Sequence, residues 1–226
     1  MPQLRWPFIA FVTLCVAGCG TRDPVQEMQK SLAKAPEYMI ILEDMREDGS
    51  FFTNYYHRYT VVQGERRGTT EWIEVTEEVY RRYAAFLGMA LVAKSDKGVN
   101  GTPHPPGYHY VGNPQYGHWG GGGSFWVFYG QYAMMRSLMG GGYGGQIYRN
   151  DYNDYRNNRD RRRPYFGRNR QYGTEGSVTK KQRPAFYQRR QQAIANRQRS
   201  FSQRVRDRSG RNRSGFGSRS RGRFGK

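Results

Sequence analysis

Alternation of apolar and polar positions is clearest from Phe51 to Val62. Phe51, Thr53, Tyr55, His57, Tyr59 and Val61 fall on one side there, and Asn54 and Arg58 on the other. That period of two predicts a strand. The apolar run Tyr38-Met39-Ile40-Ile41-Leu42 predicts another, with Asp48-Gly49 as the hairpin signal between them. Gly64 to Gly68 reads as a basic turn, and Glu71–Val75 as a third strand. The period then changes. Thr76 is placed to cap a helix whose first turn holds Glu77 and Glu78, and Val79, Tyr80, Tyr83, Phe86, Leu87, Ala90 and Leu91 follow at helical spacing. The expected fold over residues 36–95 is a small α+β domain, a three-stranded antiparallel sheet plus one helix. A module of this size is close to the lower limit for a self-standing core, so support from another segment is expected.

Residues 96–148 are rich in glycine, proline and aromatics. Pro103, Pro105, Pro106 and Pro114 interrupt regular structure among Tyr108, Tyr110 and Tyr116. Between two glycine runs, Ser124–Met139 carries a single charge, Arg136. Phe125, Phe128, Tyr132, Met135 and Met139 step by three and four beside Trp126, which predicts a short amphipathic helix over 124–139. Ser124 is its expected cap and Gly140 its stop. It is too short to span a bilayer. Two roles stand side by side: packing on the small domain, or lying in a lipid interface where Trp126 and Tyr129 are at home.

Charge divides the chain more sharply than hydropathy does. The net charge is +19; residues 1–100 are nearly neutral, while residues 151–226 hold 23 basic against 5 acidic residues, net +18. Phe, Ile and Val number eight of these 76 residues, and Leu, Met and Trp are absent, a composition that predicts a disordered basic tail over 149–226. Twenty of the 23 cations are arginine, whose planar fork suits phosphate and carboxylate. The candidate polyanion-binding residues are Arg161, Arg162, Arg163, Arg168, Arg170, Arg189, Arg190, Arg197 and Arg204, with tyrosines and phenylalanines interleaved. Tyr187, Ile194, Phe201 and Val205 form a thin apolar stripe. It fits a basic helix on an anionic membrane, although disorder is the preferred reading.

The N-terminus adds a compartment. Arg5 precedes an uncharged run from Trp6 to Ala17, followed by Val16-Ala17-Gly18-Cys19. A short positive start, an apolar stretch and small residues before a cut describe an export signal. The tetrad Val16, Ala17, Gly18 and Cys19 resembles the lipobox of bacterial lipoproteins, in which the cysteine is acylated. Residues 1–18 are thus expected to be a signal peptide, and 19–35 a lipid anchor and spacer. Cys15 leaves with the signal, so Cys19 remains as the single thiol and neither a disulfide nor a cysteine nucleophile is expected. Gly20 is not the aspartate that retains lipoproteins at the inner membrane, so the resemblance implies the outer membrane of a Gram-negative cell.

Catalysis finds little support. Glu43, Asp44, Glu47 and Asp48 flank the first hairpin, where acids are usually solvated, and His57 on an aromatic face reads as a packed histidine. His104, His109 and His118 match no metal spacing and read as solvated loop residues. No enzyme activity, cofactor or metal is expected.

Gly123-Ser124-Phe125-Trp126, Tyr132, Met134-Met135 and Leu138-Met139-Gly140-Gly141-Gly142 resemble the central segment of YgiB-type bacterial envelope lipoproteins. The end, Ser218-Arg219-Ser220-Arg221-Gly222-Arg223-Phe224-Gly225, is similar to their glycine- and serine-rich ends. The resemblance implies a lipoprotein without an assigned activity. The expectation is a non-enzymatic envelope protein, membrane-bound through lipidated Cys19. Its tail grips a polyanion: lipopolysaccharide, anionic lipid, an acidic polymer or DNA. The glycine-rich middle leaves self-association open. The alternative is an intracellular RNA- or DNA-binding protein with an Arg/Gly/Ser-rich tail, because phosphate contacts carry no information about compartment.

Overall fold

In the computed structural model, which describes residues 23–49, 52–140 and 146–213, the apolar run at Tyr38 opens a strand buried on both faces. This strand, β1 (Tyr38–Asp48), is the middle of a six-stranded antiparallel sheet. Its neighbours are β2 (Asn54–Gln63) and β5 (Ala90–Ser95); β3 (Arg66–Thr69) and β4 (Ile73–Val75) both pair with β2, and β6 (Gly98–Asn100) closes the other edge. Tyr38, Ile40 and Leu42 face one core, and Met39 and Ile41 the other. A bulge at Glu43 shifts the register, which returns Met45 to the side of Leu42 after three residues instead of two.

The first face is covered by α1 (Pro24–Ser31), α2 (Glu77–Tyr83) and the start of α6 (Pro184–Arg213), through Val25, Tyr80, Tyr83, Phe186 and Tyr187. The second face is covered by the glycine- and aromatic-rich segment. There a three-stranded sheet forms from β7 (Gly117–Gly120), β8 (Phe125–Phe128) and β9 (Ile147–Tyr148), joined by α3 (Met134–Leu138) and α4 (Arg149–Asp160). The short α5 (Ser177–Gln182) precedes α6.

The expected three-stranded sheet with one helix is therefore overturned. The basic turn at 64–68 runs into strand β3, and the predicted helix stops at Tyr83. Thr76 does cap α2, its hydroxyl accepting from the Val79 amide at 3.3 Å. Beyond Tyr83, the chain reverses through Gly88, whose φ of 75° is open to glycine, and Ala90 begins β5. Pairing with β1 overrode a helical pattern that fitted Ala90 and Leu91 equally well. Phe51, which began the alternating pattern, lies outside the described residues.

The predicted helix over 124–139 is also corrected. Its first part is strand β8, paired with the glycine-bearing β7 on one side and β9 on the other, and only Met134–Leu138 is α-helical. Gly117 sits so close to β8 that a Cβ there would lie 2.1 Å from the Val127 carbonyl oxygen, so the two strands pair only because residue 117 has no side chain.

The disordered tail is overturned as well, at least to the start of α6. Tyr155, Tyr165, Tyr172 and Phe186 are buried, and Asn100 donates to the Tyr155 hydroxyl at 3.0 Å. Tyrosine supplies the core that the scarcity of aliphatic residues argued against: Tyr108, Tyr155 and Tyr165 form mutual ring contacts at 5.5–6.1 Å.

Candidate anion-binding surface and cleft

The lipobox residues Val16, Ala17, Gly18 and Cys19 lie outside the described residues. Just after them the chain is firmly held. Asp23 caps α1 by accepting from the Val25 amide at 3.0 Å, and its second oxygen accepts from Arg82 at 3.0 Å and the Tyr83 hydroxyl at 2.7 Å. The stretch expected as a spacer thus contributes α1 to the core, with Val25 buried.

Of the residues nominated for lipid or packing, Trp126, Phe128, Tyr132, Met135 and Met139 are all buried in the core on the second sheet face, and Phe125 is half-buried. They pack. His57 is packed too, stacked on Tyr80 at 5.3 Å with Nδ1 beside the Tyr59 hydroxyl at 2.9 Å. Burial pushes it down to about 4. The solvated-loop reading fails for His104 and His109, which are buried beside β5 and β6 and held down at about 3 and about 4, mainly by burial. Their neighbours are polar: His104 Nδ1 lies 2.8 Å from the Thr102 carbonyl, and His109 Nε2 lies 3.0 Å from the Ser95 hydroxyl. His118 is exposed, as expected.

Of the hairpin acids, Glu47 and Asp48 are exposed as expected, whereas Glu43 and Asp44 are half-buried and paired. Glu43, at the β1 bulge, pairs with Arg183 and accepts from the Thr60 hydroxyl at 2.8 Å; these contacts hold its carboxyl below the usual range despite the opposing effect of burial. Asp44 pairs with Arg189 at 2.6 Å, and Glu175 with Arg190 at 3.1 Å. Two nominated arginines thus fasten the first turns of α6 to the body. Arg161, Arg162, Arg163, Arg168 and Arg170 are exposed, the left-handed Arg162 (φ 53°) lying just beyond the end of α4. Arg170 stacks on Phe166 at 5.1 Å. Arg197 and Arg204 fall on α6, along which Ile194, Phe201 and Val205 are exposed.

The most concentrated basic site was missed from the sequence. It is a cleft of about 400 Å³ between the β5–β6 turn, β7 and α4, lined by Lys97, Trp119, Arg149, Tyr152, Arg156 and Arg159. Spacings of three and four along α4 put its three arginines and Tyr152 on one side, while Tyr155 turns into the core. Arg149 stacks over Trp119 at 4.1 Å and donates Nε to the Gly123 carbonyl at 2.8 Å. Among the described residues, no carboxylate stands within ion-pair distance of Lys97, Arg149 or Arg156, while Arg159 has Asp160 at 2.9 Å. Burial pushes the Lys97 ammonium below its ordinary value; Arg159 and Arg156 act in the same sense, against Asp96. The one available signal was the spacing Arg149, Tyr152, Arg156, Arg159, which carries meaning only on a helix. A second cleft of about 280 Å³, by Arg168 and Arg170, also includes Asp154.

No protein-family model matches the chain, and no match is found among curated proteins or solved structures. Among the described residues no helix is long and apolar enough to cross a membrane, and no group of three His, Cys, Asp or Glu side chains is placed to hold a metal.

Proposed function

We propose that this is a non-enzymatic lipoprotein of the cell envelope, anchored through Cys19, whose arginine-rich C-terminal third grips a polyanion at the outer membrane. The observation that carries the reading is where the positive excess sits. From Arg156 to Arg208, every arginine whose side chain is described is exposed, except the half-buried Arg159 and Arg183. Folding has used the tyrosines of this third for the core and left its guanidinium groups at the surface, where they meet phosphate or carboxylate bidentately. Orientation supports the same reading. Helix α1, which follows Cys19 by a few residues, and the start of α6 pack on the same face of the six-stranded sheet. The first described residues after the anchor and the start of the basic helix therefore lie on one side. The likeness to YgiB-type lipoproteins belongs to this proposal.

Metabolic labelling with a clickable palmitate analogue tests the anchor: label that follows the outer membrane and vanishes in Cys19→Ser is expected. Soluble, unlabelled protein in the cytoplasm would overturn it in favour of an intracellular nucleic-acid binder. Binding is tested by a chain ending at Gln192, which keeps the fastened turns of α6 and removes a net charge of +10. Its affinity for lipopolysaccharide and for anionic vesicles should fall at least a hundredfold in low salt. For duplex DNA, the salt slope should lose ~0.9 per phosphate contact removed.

A further inference from the structure

The cleft under α4 is a different kind of site from the basic helix. Long charged side chains at the surface ordinarily spread apart or pair with acids. Here Lys97, Arg149, Arg156 and Arg159 converge on one concavity, and Asp160 is their single ion-pair partner among the described residues. Such an arrangement repels itself unless an anion fills it. The guanidinium of Arg149 is aimed by two fixed contacts, the Trp119 ring behind it and the Gly123 carbonyl beside it, and its terminal nitrogens have no carboxylate to meet. Pre-aimed donors of this sort recognise tetrahedral or planar oxyanions with little loss of side-chain freedom.

Two further properties narrow the ligand. The volume, about 400 Å³, exceeds what an isolated phosphate fills and falls in the range of small-molecule sites. The walls are also not uniformly polar: Trp119 and Tyr152, with ring centroids 5.9 Å apart, offer apolar ring surface among the cations. At Gly112 a Cβ would come within 3.0 Å of the Tyr152 hydroxyl, so a bare backbone at that point leaves the Tyr152 ring its place.

We propose that this cleft binds a small phosphate-bearing ring compound, its phosphate held by Arg149, Arg156 and Lys97 and its ring against Trp119 and Tyr152. A sugar phosphate and a nucleotide share that chemistry. The site is independent of the lipid anchor and of the distal half of α6.

Calorimetric titration of the full chain with glucose 6-phosphate, AMP, inorganic phosphate and glucose tests the proposal. One ring-bearing phosphate is expected to bind with 1:1 stoichiometry, at least tenfold tighter than inorganic phosphate, and glucose not at all. The tighter of glucose 6-phosphate and AMP identifies the source of the ring. Arg156→Gln, at an exposed position without a carboxylate partner, should weaken that binding at least tenfold, with Arg156→Lys intermediate. The chain ending at Gln192 should bind as the full chain does, even though its grip on vesicles is lost. Absence of saturable binding by either ring-bearing phosphate would overturn the proposal, as would equal affinity for inorganic phosphate. Binding abolished by the truncation but untouched by Arg156→Gln would assign the anion to α6 and overturn the cleft.

Discussion

Three buried histidines make this fold sensitive to mild acid, by an amount that follows from their surroundings. His57 lies against Tyr80 and Tyr59, while His104 and His109 lie beside β5 and β6; burial holds them at about 4, about 3 and about 4. The unfolded chain takes up these protons near the ordinary value of 6.5, whereas the native state refuses them until its own lower values are reached. Their contribution is therefore complete above pH 6.5, falls as pH drops, and levels off below about 4 for His57 and His109 and below about 3 for His104. At pH 5 each histidine should remove about 2 kcal/mol, and the three together about 6 kcal/mol, against a typical total of 5–15 kcal/mol. Glu43, whose carboxyl is held below its ordinary value, releases its share only under more acid conditions and does not confuse this window. Urea unfolding followed by far-UV circular dichroism at pH 7.5, 6.5, 5.5 and 5.0 measures the effect. His57→Gln, whatever it does to stability at pH 7.5, should remove about one third of the dependence on pH. An unfolding free energy at pH 5.0 within about 1 kcal/mol of that at pH 7.5 would refute the reasoning, because the imidazoles would then be protonating inside the native structure.

Other outcomes are expected from single contacts. Asp23→Ala removes the cap of α1, leaves the Tyr83 hydroxyl without its acceptor and leaves Arg82 with Glu78 alone, which should lower stability by about 2–3 kcal/mol in the same urea assay. Gly117→Ala drives a methyl into the Val127 carbonyl and should cost at least about 2 kcal/mol, while Gly68→Ala, with open space at its Cβ, should stay within about 0.5 kcal/mol. A chain ending at Asn150 loses Tyr155, Tyr165, Tyr172 and Phe186 from the core and should be insoluble or molten by near-UV circular dichroism. The chain ending at Gln192 should melt within ~3 °C of the full chain.

Local patterning identified β1, β2, β4 and the Thr76 cap because each depends on neighbours in sequence. The elements that escaped it depend on distant ones. Ala90 and Leu91 satisfy a helical period, and only the pairing of Ala90 with Ile41 and of Val92 with Ile40, together with the reversal at Gly88, makes this stretch strand. Phe125 and Phe128 satisfy one too, yet the glycines before them allow β7 to approach closely enough to pair. The C-terminal third was misjudged on aliphatic content. Tyr155, Tyr165 and Tyr172 lie nine or fewer residues from several charges, and their burial depends on a cavity wall contributed by Tyr108 and Asn100. The cleft was illegible for the same reason, since Lys97, Trp119 and α4 meet only once both sheets have formed.

The clamp on Asp23 sets a distance scale. If Cys19 carries the lipid, the four residue-to-residue steps from it to a carboxylate locked to Arg82 and Tyr83 can extend no further than about 14 Å. The folded body is then leashed hard against the bilayer, with no room to drift into the space beyond. The opposite end behaves otherwise, since the 30 residues of α6 measure about 45 Å along their axis and the ion pairs of Arg189 and Arg190 to the body lie in its first turns. A molecule with a short leash and a long arm samples a disc hugging the membrane rather than a sphere. With the proposed anchor, polyanions lying in or just above the lipid headgroups would be nearer the reach of that arm than those in the bulk compartment.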